Sequence, residues 1–347
     1  MAAETRKFGS LEGLRGILAL LVCGGHLGLN TAANHFHVNV RFWLSVDVFF
    51  ALSGFVLSYS NFYGRKSGER FAIGRFARLY PLHLATLLAM AILILWRDHA
   101  FDGTVFLQSL GLVQGIGLPP NRNGFDVPAW SISVEIWVSA IFFLVCRTKS
   151  WMVAAASAAL TVALAVALPD MVNADRVNLF PVVNLGALRG LAGFAIGVAA
   201  YLVYERGPVL SPLLYRIGAW VSVIGLAVLF VIPGWSVATN LLLYAAMFAA
   251  LICCAKADSA IPLSHPWMVY LGAISYAVYL LHMPVDEYLE KLFGNATHGA
   301  GKAFVFAVIL VLAMAVHRYF EMPCQAWILQ VTRKLRAPKA AAAEVSP

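Results

Sequence analysis

The feature that most constrains this chain is a succession of ten apolar runs, each about 15 to 20 residues long, spread over nearly its whole length. They lie near 11–29, 41–61, 79–96, 129–146, 151–168, 186–204, 217–232, 238–255, 267–285 and 303–317. A helix crosses a bilayer core with about 20 apolar residues, somewhat fewer in short spans. Backbone groups in hydrocarbon must be bonded within the protein, which leaves helices or closed barrels. Barrel strands alternate apolar and polar residues, whereas these runs are continuously apolar. The sequence therefore predicts an all-α, polytopic membrane bundle of about ten transmembrane helices. Composition points the same way: 61% of the 347 residues are hydrophobic and 12% charged, against about 45–50% and about 25% in a soluble domain.

Charge sets the expected orientation. With both termini inside, 17 of the 25 Lys and Arg fall in cytoplasmic segments and seven in outer ones, Arg15 lying within the first span. The positive-inside rule then predicts N-in/C-in topology, as an even number of spans requires. The net charge of +8 is read as this topological bias, with no nucleic-acid partner expected. The stretch 104–117 is too short and glycine-rich to span, and is expected at the interface or re-entering. The first run follows Arg6 and Lys7 without a small-residue cleavage site, so it reads as a helix that is retained and not as a signal peptide. Residues 1–334 read as one membrane-embedded domain. The segment 318–334, with Tyr319, Phe320 and Trp327 among basic residues, reads as an interfacial amphipathic helix. Residues 335–347 read as a disordered cytoplasmic tail. Five cysteines, an odd number without C-x-x-C spacing, indicate neither a disulfide framework nor a zinc site, and no metal is expected.

Charged groups at membrane depth are disfavoured by at least about 2.5–3.5 kcal/mol, so each invites a functional reading. Arg15 and His26 are 11 residues apart, about 20° past three full helical turns. They share one face, separated by roughly 16 Å along the axis. That face joins an anion-binding end to a group able to take a proton near neutral pH. The alternative is an Arg reaching the headgroups and a His bonded within the bundle. Asp47 could orient His26 or another cation, or be a structural acid at a helix end. Ser53-Gly54 reads as a close-packing site. Arg75 and Arg78 share a face if their segment is helical, and their guanidiniums suit phosphate; they could equally be a topological anchor. Glu135 lies well inside an apolar run, where a lone carboxylate is disfavoured unless paired or protonated, on one face with Ser131. Ser275 and His282, seven apart, share a face of the ninth span. His83 reads as a satisfied bundle histidine, and Glu321 as a local ion-pair partner.

Taken in order, LEGLRGILALLVCGGH (11–26), VDVFFALSGFVL (46–57), RFARLYPLH (75–83), PAWSISVEIW (128–137), ISYAVYLLHMP (274–284) and HRYFEMP (317–323) resemble acyltransferase family 3. These are membrane O-acyltransferases that modify bacterial surface polysaccharides and some antibiotics. The resemblance implies an acyl-coenzyme A donor, usually acetyl-CoA, arriving from the cytoplasm, and no permanently bound cofactor. It implies a carbohydrate or related hydroxyl acceptor outside, in a protein of the bacterial inner membrane. His26 would be the catalytic residue, as base or as transient acyl carrier, with Arg15, Arg75 and Arg78 needed for donor use. Glu135, Asp47 and His282 are further candidates. Some relatives append a hydrolase-like domain, and this chain resembles the stand-alone type. The rival reading is a transporter using the same intramembrane ionisable groups.

Overall fold

Gly9–His26 (α1), Ser45–Asn61 (α2), Gly68–Asp98 (α3), Gly103–Leu110 (α4), Ala129–Arg147 (α5), Leu185–Arg206 (α6), Pro212–Val231 (α7), Val237–Ala257 (α8), Pro266–Phe293 (α9), Gly301–Val316 (α10) and Met322–Ala343 (α11) are the helices of the computed structural model. It describes residues 8–29, 40–61, 67–98, 101–118, 124–148, 178–180, 183–232 and 236–343, with a few more near 150–163 and at 234. A two-stranded antiparallel hairpin, Asn178–Phe180 with Val183–Asn184, precedes α6. Nine of the ten apolar runs coincide with these helices, while the run 151–168 and the loop carrying Arg65 and Lys66 lie largely outside the described residues. Among the described residues seven helices are long and apolar enough to cross a membrane. α7 illustrates why lipid must surround them: Leu213, Val221, Ile224 and Val228 are all exposed on it, an apolar stripe that only hydrocarbon tolerates.

Helix starts follow local chemistry. Asp102 accepts from the N–H groups of Thr104 and Val105 at the head of α4, Asn184 caps α6, and Ser236 with Thr239 forms a capping box on α8. Two boundaries differ from the apolar runs. α3 begins at Gly68, so Arg75 and Arg78 sit within the helix and Pro81 lies mid-helix. Tyr276 donates to the Leu79 carbonyl at 2.5 Å, tying α9 to α3 two residues before that proline. α10 passes through a π-turn, His317–Glu321, straight into α11. Gly301 to Ala343 is thus one continuous helical run of about 64 Å, where the sequence suggests a separate interfacial helix. It extends through most of the stretch expected to be a disordered tail, where the run of alanines favours helix.

Two large apolar clusters fill most of the bundle, beside a smaller third one around Leu87, Met90 and Val105. One joins Leu11, Leu14, Val48, Phe55, Tyr201 and Met247; the other joins Val22, Phe50, Trp130, Val134, Leu280 and Ile309. α1, α2 and α6 contribute to both. Glycines set the closest approaches, as small residues do between membrane helices. Gly54, Gly193 and Gly197 bring the α2 and α6 backbones together, and Gly13 and Gly16 seat α1 on the Leu263–Gly272 segment.

Candidate active site

The site begins with the α1–α9 contact. Gly16 lies directly on Gly272, where a β-carbon would come within 2.7 Å of the Gly272 nitrogen. The two helices run in the same direction from that point. Ten residues further along each, His26 meets His282, with Nδ1 of His26 3.1 Å from Nε2 of His282. His26 Nδ1 is also 3.1 Å from the carbonyl of Val22. A carbonyl only accepts, so Nδ1 carries the proton and Nε2 keeps its lone pair. His26 is exposed, against the edge of Phe42 with ring centroids 4.9 Å apart. His282 is fully buried, packed by the Tyr279 ring. Tyr279 is itself fixed by Ser131, hydroxyl to hydroxyl at 2.8 Å, and by the Pro128 carbonyl. The arrangement presents a free imidazole nitrogen outward. Behind it lies a second imidazole able to share the Nδ1 proton when Nε2 takes another.

At the other end of the same α1 face, Arg15 donates through Nε to Ser275 (3.0 Å) and through Nη2 to the Gly272 carbonyl (2.7 Å). It also pairs with Glu12 at 2.7 Å. Thus the Arg15/His26 face of α1 lies against the Ser275/His282 face of α9, a match that neither helix specifies alone. Arg15 is within electrostatic reach of Arg78, Glu135 and Glu321. In α5, Glu135 accepts at one oxygen from Arg75 Nη2 and from Ser53 Oγ, both at 2.7 Å. Ser53 is therefore a ligand of Glu135 as well as a neighbour of the packing glycine Gly54. Nε of Arg75 is buried without a hydrogen-bond partner among the described residues. Arg78, half-buried one turn on, makes no ion pair among the described residues. Ser131 and Glu135, although on one face, serve different neighbours.

One candidate is placed elsewhere. Asp47 does not orient His26. Its two oxygens take Nε (3.2 Å) and Nη2 (2.7 Å) of Arg189, in a pair that is only 1–2% exposed. Sequence counting puts Arg189 in an outer segment, but Gly190 and Gly193 let α6 approach α2 so closely that the guanidinium is drawn inward. The signal was a lone Arg in the first turns of an apolar run. His83 bonds the Ser109 carbonyl at 2.8 Å and holds α4 against α3. Glu321 pairs with His317 at 2.9 Å across the π-turn. No group of three or more metal-ligating side chains occurs among the described residues.

Comparison with known proteins adds the chemistry. The family profile of acyltransferase family 3, described as an acyltransferase domain, matches residues 8–317. The chain is 29% identical to acyltransferase MdmB of Streptomyces mycarofaciens over 91% of both proteins. It is also 35% identical to protein 2 of the picA locus of Rhizobium radiobacter over 39% of this chain and 81% of that protein. No solved structure matches it. The comparisons thus support an enzyme. This multi-pass membrane protein belongs to acyltransferase family 3, and its activity is acyl transfer.

Proposed function

We propose that the protein takes an acyl group, usually acetyl, from acyl-coenzyme A on the cytoplasmic side of the bacterial inner membrane. It transfers that group to a hydroxyl of a carbohydrate or related acceptor on the outer side. The observation that carries this reading is the α1–α9 pair, with a guanidinium cluster at one end and an outward-facing imidazole nitrogen at the other. The fit to a phosphate-bearing donor rests on Nε of Arg75 and on Arg78, which among the described residues have no hydrogen-bond partner and no ion pair respectively, donors of the kind a phosphate satisfies. The pantetheine arm is long enough to lie along α1 while the nucleotide stays by the arginines. At the far end, Nε2 of His26 accepts the acceptor's hydroxyl proton as that oxygen attacks the thioester carbon. The C–S bond breaks, and the thiolate takes the proton back from the imidazolium. One alcohol and one thioester become one ester and one thiol. His282 holds the His26 Nδ1 proton in place and shares the positive charge while it exists.

Membranes containing the protein, incubated with acetyl-CoA labelled in the acetyl group, should yield label in an ester on a hydroxyl-bearing polymer or small molecule. Labelled ester appearing from a lipid donor and not from acetyl-CoA would overturn the donor. Orientation has its own test. With both termini inside, a cysteine at position 67 should resist impermeant reagents in intact cells while one at position 123 reacts; equal rates would reverse the assignment. Because Lys is a point charge where Arg is a planar fork, Arg75→Lys and Arg78→Lys should each raise the donor KM about tenfold, with kcat changed less. Unchanged donor KM in both variants would reduce the pair to a topological anchor.

A further inference from the structure

Besides the more exposed Arg97–Glu287 pair, the described residues hold two arginine–carboxylate pairs between helices, and they are built differently. Arg189 gives Nε and Nη2 to the two oxygens of Asp47, fork on fork, and both side chains are sealed from solvent. Arg75 gives a single Nη2 to one oxygen of Glu135, and the two side chains are 16% and 18% exposed. That same oxygen already accepts from Ser53 Oγ, and the Nε of Arg75 has nothing to donate to. Parallel two-bond pairing is the stronger and more specific geometry for a guanidinium and a carboxylate, and Arg75 lacks it. It lies one turn from Arg78, which has no ion pair among the described residues. The pairing is assembled from three helices, α2, α3 and α5.

We propose that Glu135 is a displaceable stand-in for the donor's phosphate. In the empty enzyme its carboxylate neutralises Arg75, which would otherwise be a buried, unpaired cation. When the donor binds, a phosphate oxygen takes over Nη2 and satisfies Nε as well, and Glu135 withdraws with the Ser53 hydroxyl still bound to it. Arg75 thus exchanges one single-bonded anion for a doubly bonded one. A ligand without a phosphate cannot complete this exchange, so the stand-in also sets a threshold that favours phosphate-bearing thioesters over simple ones. This inference rests on the donor reading given above, and the experiment separates the two.

Coenzyme A, which carries no acyl group to transfer, is titrated calorimetrically into the full-length protein in detergent. Glu135→Gln removes the competing charge and should bind coenzyme A about tenfold more tightly than wild type, the scale of one charge-assisted hydrogen bond. Its thermal midpoint should rise more on ligand addition than that of wild type, because an unpaired Arg75 gains more from the phosphate. Binding equal to or weaker than wild type overturns the exchange, since a carboxylate that merely positions Arg75 would be missed and not relieved. If Glu135→Gln does not fold, Ser53→Ala decides. Loosening the carboxylate from one of its two donors should tighten binding severalfold, and weaker binding overturns the proposal. If wild type binds coenzyme A and Arg75→Lys weakens it while neither variant tightens it, the donor reading stands and the exchange falls. If wild type does not bind coenzyme A at all, both fall together.

Discussion

Replacing His26 by Gln should lower acyl transfer by about 10²–10⁴-fold, the usual worth of a general base, while leaving coenzyme A binding intact. The amide can still donate a hydrogen bond to the Val22 carbonyl, which His26 does at 3.1 Å, so the helix end should hold. It cannot accept a proton at neutral pH, so the step that makes the hydroxyl nucleophilic is lost. His26→Ala should be at least as inactive. For the unmodified enzyme, transfer should fall on the acid side as the imidazole takes up a proton; that acid limb should disappear in the residual activity of His26→Gln. The measurement is initial rate with labelled acetyl-CoA against pH, paired with coenzyme A titration. A loss smaller than about tenfold, with the acid limb retained, would make His26 a structural residue. A labelled acyl group trapped on His26 when acceptor is omitted would instead make it a covalent carrier.

The second large effect is on stability. Asp47 and Arg189 are paired at 2.7 Å in the interior, with the Arg189 guanidinium 5.9 Å from the Trp130 ring centroid. Removing one partner leaves the other as a buried charge without compensation, a loss of about 3–5 kcal/mol. Asp47→Leu and Arg189→Met should each therefore unfold at markedly lower temperature in detergent, with little folded protein recovered. The double variant Asp47→Leu/Arg189→Met removes both charges and restores apolar volume, so it should recover most of the loss. Intrinsic-fluorescence melting of the three variants tests this. A double variant no more stable than the worse single one would show that the pair is not the source of the effect.

The apolar runs fixed the helices because lipid admits continuous helical hydrophobicity and little else. The faces were legible too: the period of 3.6 places Arg15 with His26, and Ser275 with His282, without any structure. Helix limits were less so. The sequence marks where a helix meets lipid, and α3 starts eleven residues before that point, at Gly68 and not at residue 79. Its first turns carry Arg70, Arg75 and Arg78, charges that lower hydropathy but that a helix accommodates once Glu135 is at hand. The same reason hid the unbroken passage from α10 into α11.

Partners were beyond the sequence. It left Asp47 as a partner for His26 or another cation or as a structural acid, and it left Glu135 in want of a partner it did not name. Which cation was decided by where the glycine seams let backbones meet. Gly193 and Gly197 draw α6 onto α2 and deliver Arg189 to Asp47. Gly16 on Gly272 sets the register in which His282 arrives behind His26, ten residues along each helix. A glycine is visible in a sequence, but the backbone that comes to rest on it is not. Pairing across 256 positions is a property of the packed bundle, because the energy that selects it comes from close contact between helices that share no sequence neighbourhood.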